Sequence, residues 1–230
     1  MFKLNLILFL SLLCLCGVSN AQHWDITEQQ SYHNSVVQVQ GGGIAGSGTV
    51  VKFIRDDGDN YIGLVLTASH CIRSANTEMT ILFKNGKSST GGKVVHNSKF
   101  QFDRFNDIAL IEAVIPDEVP VMEVSNDPIK YGDKVEMAGY ATGKLRHWNA
   151  VYGGLTINGK GHIVYSWAIQ GDSGGPIIYK GKVVGVICFG NAVAKYNERY
   201  IVSPINGTSV IKIQNDLKKY TGVSFQVCNL

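Results

Sequence analysis

Positive charge is never clustered in this chain, and both proline and cysteine occur only five times in 230 residues. Without a run of basic residues nothing points to nucleic acid, whose binding needs grouped phosphate-neutralising cations. Scarce proline excludes a collagen-like or proline-rich chain despite the 26 glycines. No Cys-x-x-Cys pair and no histidine cluster with metal spacing occurs, so neither a metal nor a cofactor is expected. Disorder is excluded as well, because 45% of the residues are hydrophobic and only 17% are charged. Helical periodicity is missing until Ser209–Tyr220, where Val210, Ile211, Ile213 and Leu217 recur among polar residues.

The N-terminus reads as a leader. Lys3 precedes an apolar run from Leu6 to Cys16, followed by small residues at Ser19 and Ala21. That pattern is a secretory signal peptide over residues 1–21, cut after Ala21. The run falls short of the ~20 apolar residues of a bilayer span, so a permanent anchor is the rival reading. Export to the periplasm or the exterior is expected, with no stable membrane anchor after cleavage. Only Cys71, Cys188 and Cys228 then remain, enough for one bridge at most. The fold must hold by its core.

Segments rich in Val, Ile, Phe and Tyr recur at short spacing. Val36–Val39, Thr49–Ile54, Tyr61–Thr67, Thr80–Phe83, Lys93–Val95 and Ile108–Val114 read as strands, with turns at Asp56–Asn60, Asn85–Lys87 and Gly91–Gly92. Pro116–Pro128 reads as a connector. Lys134–Gly139, Val151–Ile157, His162–Tyr165, Pro176–Tyr179, Val183–Phe189 and Arg199–Val202 form a second series, with turns at Asn158–Gly159 and Lys180–Gly181. Six strands, a connector and six strands predict an all-β chain of two similar units.

Three short segments carry chemistry. Leu66-Thr67-Ala68-Ser69-His70-Cys71 runs a strand into a histidine turn, and Asn106-Asp107-Ile108-Ala109-Leu110 sets an acid before an apolar strand. Gly171-Asp172-Ser173-Gly174-Gly175-Pro176 places a serine inside a glycine loop. In the order His, Asp, Ser they resemble the trypsin/chymotrypsin-like serine peptidase superfamily over residues 32–222. The resemblance implies two six-stranded antiparallel Greek-key barrels, at about 32–115 and 121–205, closed by a helix at about 209–220. It also implies His70 as general base, Asp107 as its orienting acid, Ser173 as nucleophile, and an oxyanion hole from the N–H groups of Gly171 and Ser173. A serine hydroxyl needs such a base to attack a carbonyl, and histidine can take the proton and return it to the leaving amine. Asp172 holds the place of the family's loop-ordering acid.

The departures narrow the branch. No Ile-Val-Gly-Gly activation site precedes the first barrel, and Gly46-Ser47-Gly48 is similar to the HtrA and glutamyl-endopeptidase relatives, which need no zymogen cut. Cys71 lacks the partner cysteine that digestive trypsins place near Ala45. The resemblance puts Trp167, Ile187, Cys188, Phe189 and Gly190 around the substrate. Trp167 replaces the trypsin pocket aspartate and Ile187 the glutamyl-endopeptidase histidine, so a neutral or apolar P1 residue is expected. Arg199 or Glu198 at the pocket floor would change that preference. His96, His147 and His162 read as surface or turn residues, Thr142–Trp148 as a solvated basic loop, and Asn206-Gly207-Thr208 as a glycosylation acceptor. The expectation is a monomeric secreted serine endopeptidase acting on proteins or peptides; the alternative is a catalytically silent binding protein on the same fold.

Overall fold

The computed structural model describes residues 30–56, 58–98, 107–125, 127–155, 161–166, 168–190, 195–196, 199–200 and 204–209. The leader, Trp167, Glu198, the Asn158–Gly159 turn and residues 210–220 of the expected helix lie outside them. The chain is all-β, with two closed six-stranded antiparallel barrels.

The first barrel comprises β1 (Val36–Gly41), β2 (Ile44–Asp56), β3 (Asn60–Thr67), β4 (Met79–Leu82), β5 (Ser88–Asn97) and β6 (Ala109–Pro116), in the order β1-β2-β3-β6-β5-β4. The second comprises β7 (Lys134–Gly139), β8 (Arg146–Leu155), β9 (Gly161–Tyr165), β10 (Pro176–Tyr179) and β11 (Lys182–Gly190), with β14 (Pro204–Ser209) as its sixth strand. Between β11 and β14, β12 (Lys195–Tyr196) and β13 (Arg199–Tyr200) pair as a separate two-stranded ribbon.

Three apolar cores follow from the alternation of side chains along these strands. One fills the first barrel, with Val65, Ile111 and Ile81. Another fills the second, with Met137, Trp148, Ile177 and Ile187. The third lies in the seam between them, where Leu64, Leu66, Ile108 and Leu110 meet Val124, Ala138, Val186 and Cys188. Strands that face a lumen on one side and the seam on the other are buried on both, which is why β3 and β6 read as near-continuous apolar runs. The connector is stitched into the seam: the Met122 N–H donates to the Val50 carbonyl at 2.9 Å and that of Ser125 to Val183 at 2.8 Å.

The structure corrects three expectations about strands. Gly91–Gly92 is no turn but lies inside β5, where Gly91 (φ +73°) takes up a register shift opposite Thr80. The sixth strand of the second barrel is not Arg199–Val202 but Pro204–Ser209. The backbone of Asn206-Gly207-Thr208 is paired there with both β9 and β11. The basic stretch is solvated only in part, since Arg146 opens β8 and His147 and Trp148 are buried.

Candidate active site

β3 delivers its last apolar residues into the seam and ends in a 3-10 turn, Ser69–Cys71. Its bonds, Cys71 N–H to the Ala68 carbonyl at 3.1 Å and Ile72 N–H to Ser69 at 3.0 Å, set His70 at the barrel rim with 28% of its side chain exposed. Asp107 is fully buried beside β6. Its position is pinned by neighbouring bonds, from the Ser98 N–H to the Ile108 carbonyl at 3.0 Å and from the Ile108 N–H to the Ser98 hydroxyl at 2.9 Å. The carboxylate grips His70 twice. Oδ2 lies 2.6 Å from the ring Nδ1, and Oδ1 accepts the His70 backbone N–H at 2.9 Å. A carboxylate on Nδ1 keeps the proton there and leaves Nε2 as the basic nitrogen. Burial alone would lower the affinity of His70 for a proton. The bonds to Asp107 and Cys71 outweigh it and hold His70 above the ordinary histidine range.

Ser173 sits on the loop entering β10. The loop's N–H groups are spent selectively: Asp172 donates to Ile169 at 3.0 Å, Gly174 to Ile187 at 2.7 Å and Gly175 to Asp172 at 3.0 Å. Those of Gly171 and Ser173 have no acceptor among the described residues. Gly174, at φ +86°, admits no side chain, since a Cβ would stand 2.1 Å from the Ser47 carbonyl and 2.3 Å from Thr67 Oγ1. This close approach brings the serine loop against the histidine turn, and the Cys71 thiol reaches the Ser173 carbonyl at 3.5 Å. The Ser173 hydroxyl donates to the Cys188 carbonyl at 3.4 Å.

Asp172 is fully buried. Burial raises its proton affinity, opposed by N–H donors from Ile169 at 3.0 Å and Ala141 at 3.3 Å and by the Arg146 guanidinium at 3.7 Å. Arg146 lies over the Trp148 ring, 4.5 Å from its centre. The sequence reading missed Arg146 in this role.

Of the residues expected around the substrate, Cys188 has its carbonyl on Ser173, while its thiol faces the carbonyls of Val186 at 3.3 Å and Asp107 at 3.6 Å. Phe189 and Gly190 complete β11. Ile187 is buried. Its side chain packs in the second barrel's lumen, and Gly174 and Gly175 occupy its backbone carbonyl and N–H. Cys71 and Cys188 are both buried and are not bridged to each other. His147 and His162 are core histidines rather than surface ones. His147 stacks on His33 at 4.3 Å, and His162 accepts the Tyr152 hydroxyl at Nδ1 (2.9 Å) while Nε2–H donates to the Val184 carbonyl (3.0 Å).

A family model described as "Trypsin-like peptidase domain" matches residues 46–186. The fold is similar to that of the Rv3671c protease of M. tuberculosis in its inactive form (24% identity, TM-score 0.59), covering 83% of this chain and 90% of that one. It is also similar to a serine endoprotease from Yersinia pestis (17% identity, TM-score 0.63), covering 85% of this chain and 68% of that one. At such identities the likeness establishes the shared fold.

Proposed function

The chain belongs to the trypsin-like peptidase family and is a serine endopeptidase, a premise from which we propose that His70, Asp107 and Ser173 form its triad. Ser173 Oγ attacks the scissile carbonyl while His70 Nε2 takes the hydroxyl proton. The carbonyl oxygen, now carrying the negative charge, receives the N–H groups of Gly171 and Ser173, each such donor worth about 10²–10³-fold in rate. Collapse expels the amine, which takes the proton from His70, and water then releases the acyl group by the same route. The observation that carries this reading is the two-point grip of Asp107 on His70, at 2.6 and 2.9 Å, beside a serine loop with two uncommitted N–H groups. The test is fluorophosphonate labelling of the protein recovered from an exporting host. Labelling lost in Ser173→Ala is expected, and a folded wild type that stays unlabelled refutes the triad.

Residues 1–21 are read as the export signal, so that the labelled protein begins at Gln22. Activity needs no further cut on this reading, because Arg146 supplies from within the chain the cation that faces Asp172. The P1 side chain is read as neutral or apolar. A cationic group entering a site without a counter-charge loses its hydration at a cost of several kcal/mol, whereas an apolar one gains about 25 cal/mol per Å² buried. Peptide-library cleavage read by mass spectrometry is expected after apolar or small residues. Dominant cleavage after Lys or Arg refutes this, and cleavage after Asp or Glu that vanishes in Arg199→Ala assigns the floor to Arg199.

A further inference from the structure

Ser47 of β2 stands in the first barrel, yet it binds both residues whose N–H groups face the substrate carbonyl in the reading above. Its backbone N–H donates to the Ser173 carbonyl at 2.7 Å, and its hydroxyl donates to the Gly171 carbonyl at 2.7 Å. The hydroxyl has only one way to point. Its oxygen accepts the Tyr140 N–H at 2.8 Å, so its own proton is directed at Gly171. The Ser47 carbonyl is taken by the Thr67 hydroxyl at 2.6 Å, and the side chain is fully buried. Gly171 needs such a hold: at φ +101°, with no Cβ to restrict it, it rests between Ser47 and the Ala141 backbone.

We propose that Ser47 is the positioning residue of the oxyanion hole, fixing through the Gly171 carbonyl the direction in which the Gly171 and Ser173 N–H groups point. The proposal rests on the triad reading. Without the hydroxyl, the Gly171 carbonyl loses its donor and Tyr140 its acceptor, and the glycine is free to turn. Misplacing a catalytic group by ~1 Å costs about 10²-fold, so a tenfold to hundredfold loss is the expected scale.

The test compares wild type with Ser47→Ala, each normalised to the active sites titrated by fluorophosphonate. Ser47→Ala is expected to lower kcat per titrated site by about 10- to 100-fold with KM within about threefold. The inhibition constant of a peptide aldehyde, whose adduct carries the tetrahedral oxygen, is expected to rise by the same factor as kcat/KM falls. A merely structural serine would lower the titrated fraction and leave that constant unchanged, and this outcome overturns the proposal. Where Ser47→Ala does not fold, Ser47→Cys, with a weaker donor in the same place, is read by the same aldehyde constant and the same criterion. A wild type that fluorophosphonate does not label removes the triad reading and this one together. A labelled, active wild type with an unaffected variant removes this one alone.

Discussion

Lowering the pH should destabilise the second barrel through its buried imidazoles, His162 above all. His162 is 4% exposed on β9, with both ring nitrogens engaged by Tyr152 and Val184. Burial, only partly opposed by the bond to the Val184 carbonyl, drops its pKa from 6.5 to about 4. A second proton would go to Nδ1, which is the acceptor for the Tyr152 hydroxyl, so that bond would be lost as well. The unfolded chain protonates this histidine near ~6.5 while the folded chain resists, so in that interval the unfolded state holds more protons. Stability must therefore fall as pH drops from ~6.5 toward ~4, by up to about 1.4 kcal/mol per pH unit and about 3 kcal/mol in all. Guanidinium unfolding of Ser173→Ala, which cannot digest itself, measures this across the interval. The same series in Ser173→Ala with His162→Gln isolates the imidazole from other titrating groups. The double variant is expected to start lower near neutrality and to lose about 3 kcal/mol less on acidification. Identical slopes in the two proteins would refute a neutral buried His162.

Asp107→Asn removes the charge that raises His70, so kcat is expected to fall about 10³–10⁴-fold. The acid limb of kcat/KM, which marks deprotonation of His70, should move to lower pH; an unmoved limb in a pH–rate series would exclude Asp107 as the partner. Gly174→Ala and Gly58→Ala both place a side chain at positive φ, but only Gly174 has backbone and hydroxyl within 2.1–2.3 Å of the new carbon, while Gly58 has nothing within 4 Å. Thermal melts and labelling are expected to show Gly58→Ala active at a cost of about 1 kcal/mol, and Gly174→Ala unlabelled or unfolded. An active Gly174→Ala would contradict the packing of the serine loop.

Strands that pair on both sides and pack against two cores announce themselves in sequence, which is why Lys134–Gly139 and Pro176–Tyr179 are found at their expected bounds. β14 does not, because proline, asparagine and glycine in Pro204–Ser209 signal a turn. The backbone pairing offered by β9 and β11 overrides that local preference. Gly91 misleads in the same way, since a bulge and a turn ask the same freedom of a glycine. The side on which Ile187 lies follows from the strand period. With Val186 and Cys188 on the seam face, the period of two sends Ile187 to the lumen. Nothing in sequence distinguishes a buried histidine with two partners from an exposed one, so His147 and His162 passed for surface residues. The His, Asp and Ser motifs were read from local patterns. Ser47 and Arg146 act on partners more than twenty residues away, which no local pattern reveals.

The seam between the barrels has a consequence for control of the enzyme. His70 and Asp107 belong to one body and Ser173 to the other, while Ser47 reaches across to hold the serine loop. On the triad reading, the spacing of the two barrels is therefore a coordinate of the reaction itself. Catalytic geometry tolerates about 1 Å of error before the rate falls by two orders of magnitude. On the triad reading, a wedge that parts the barrels is expected to lower the rate with every catalytic side chain intact.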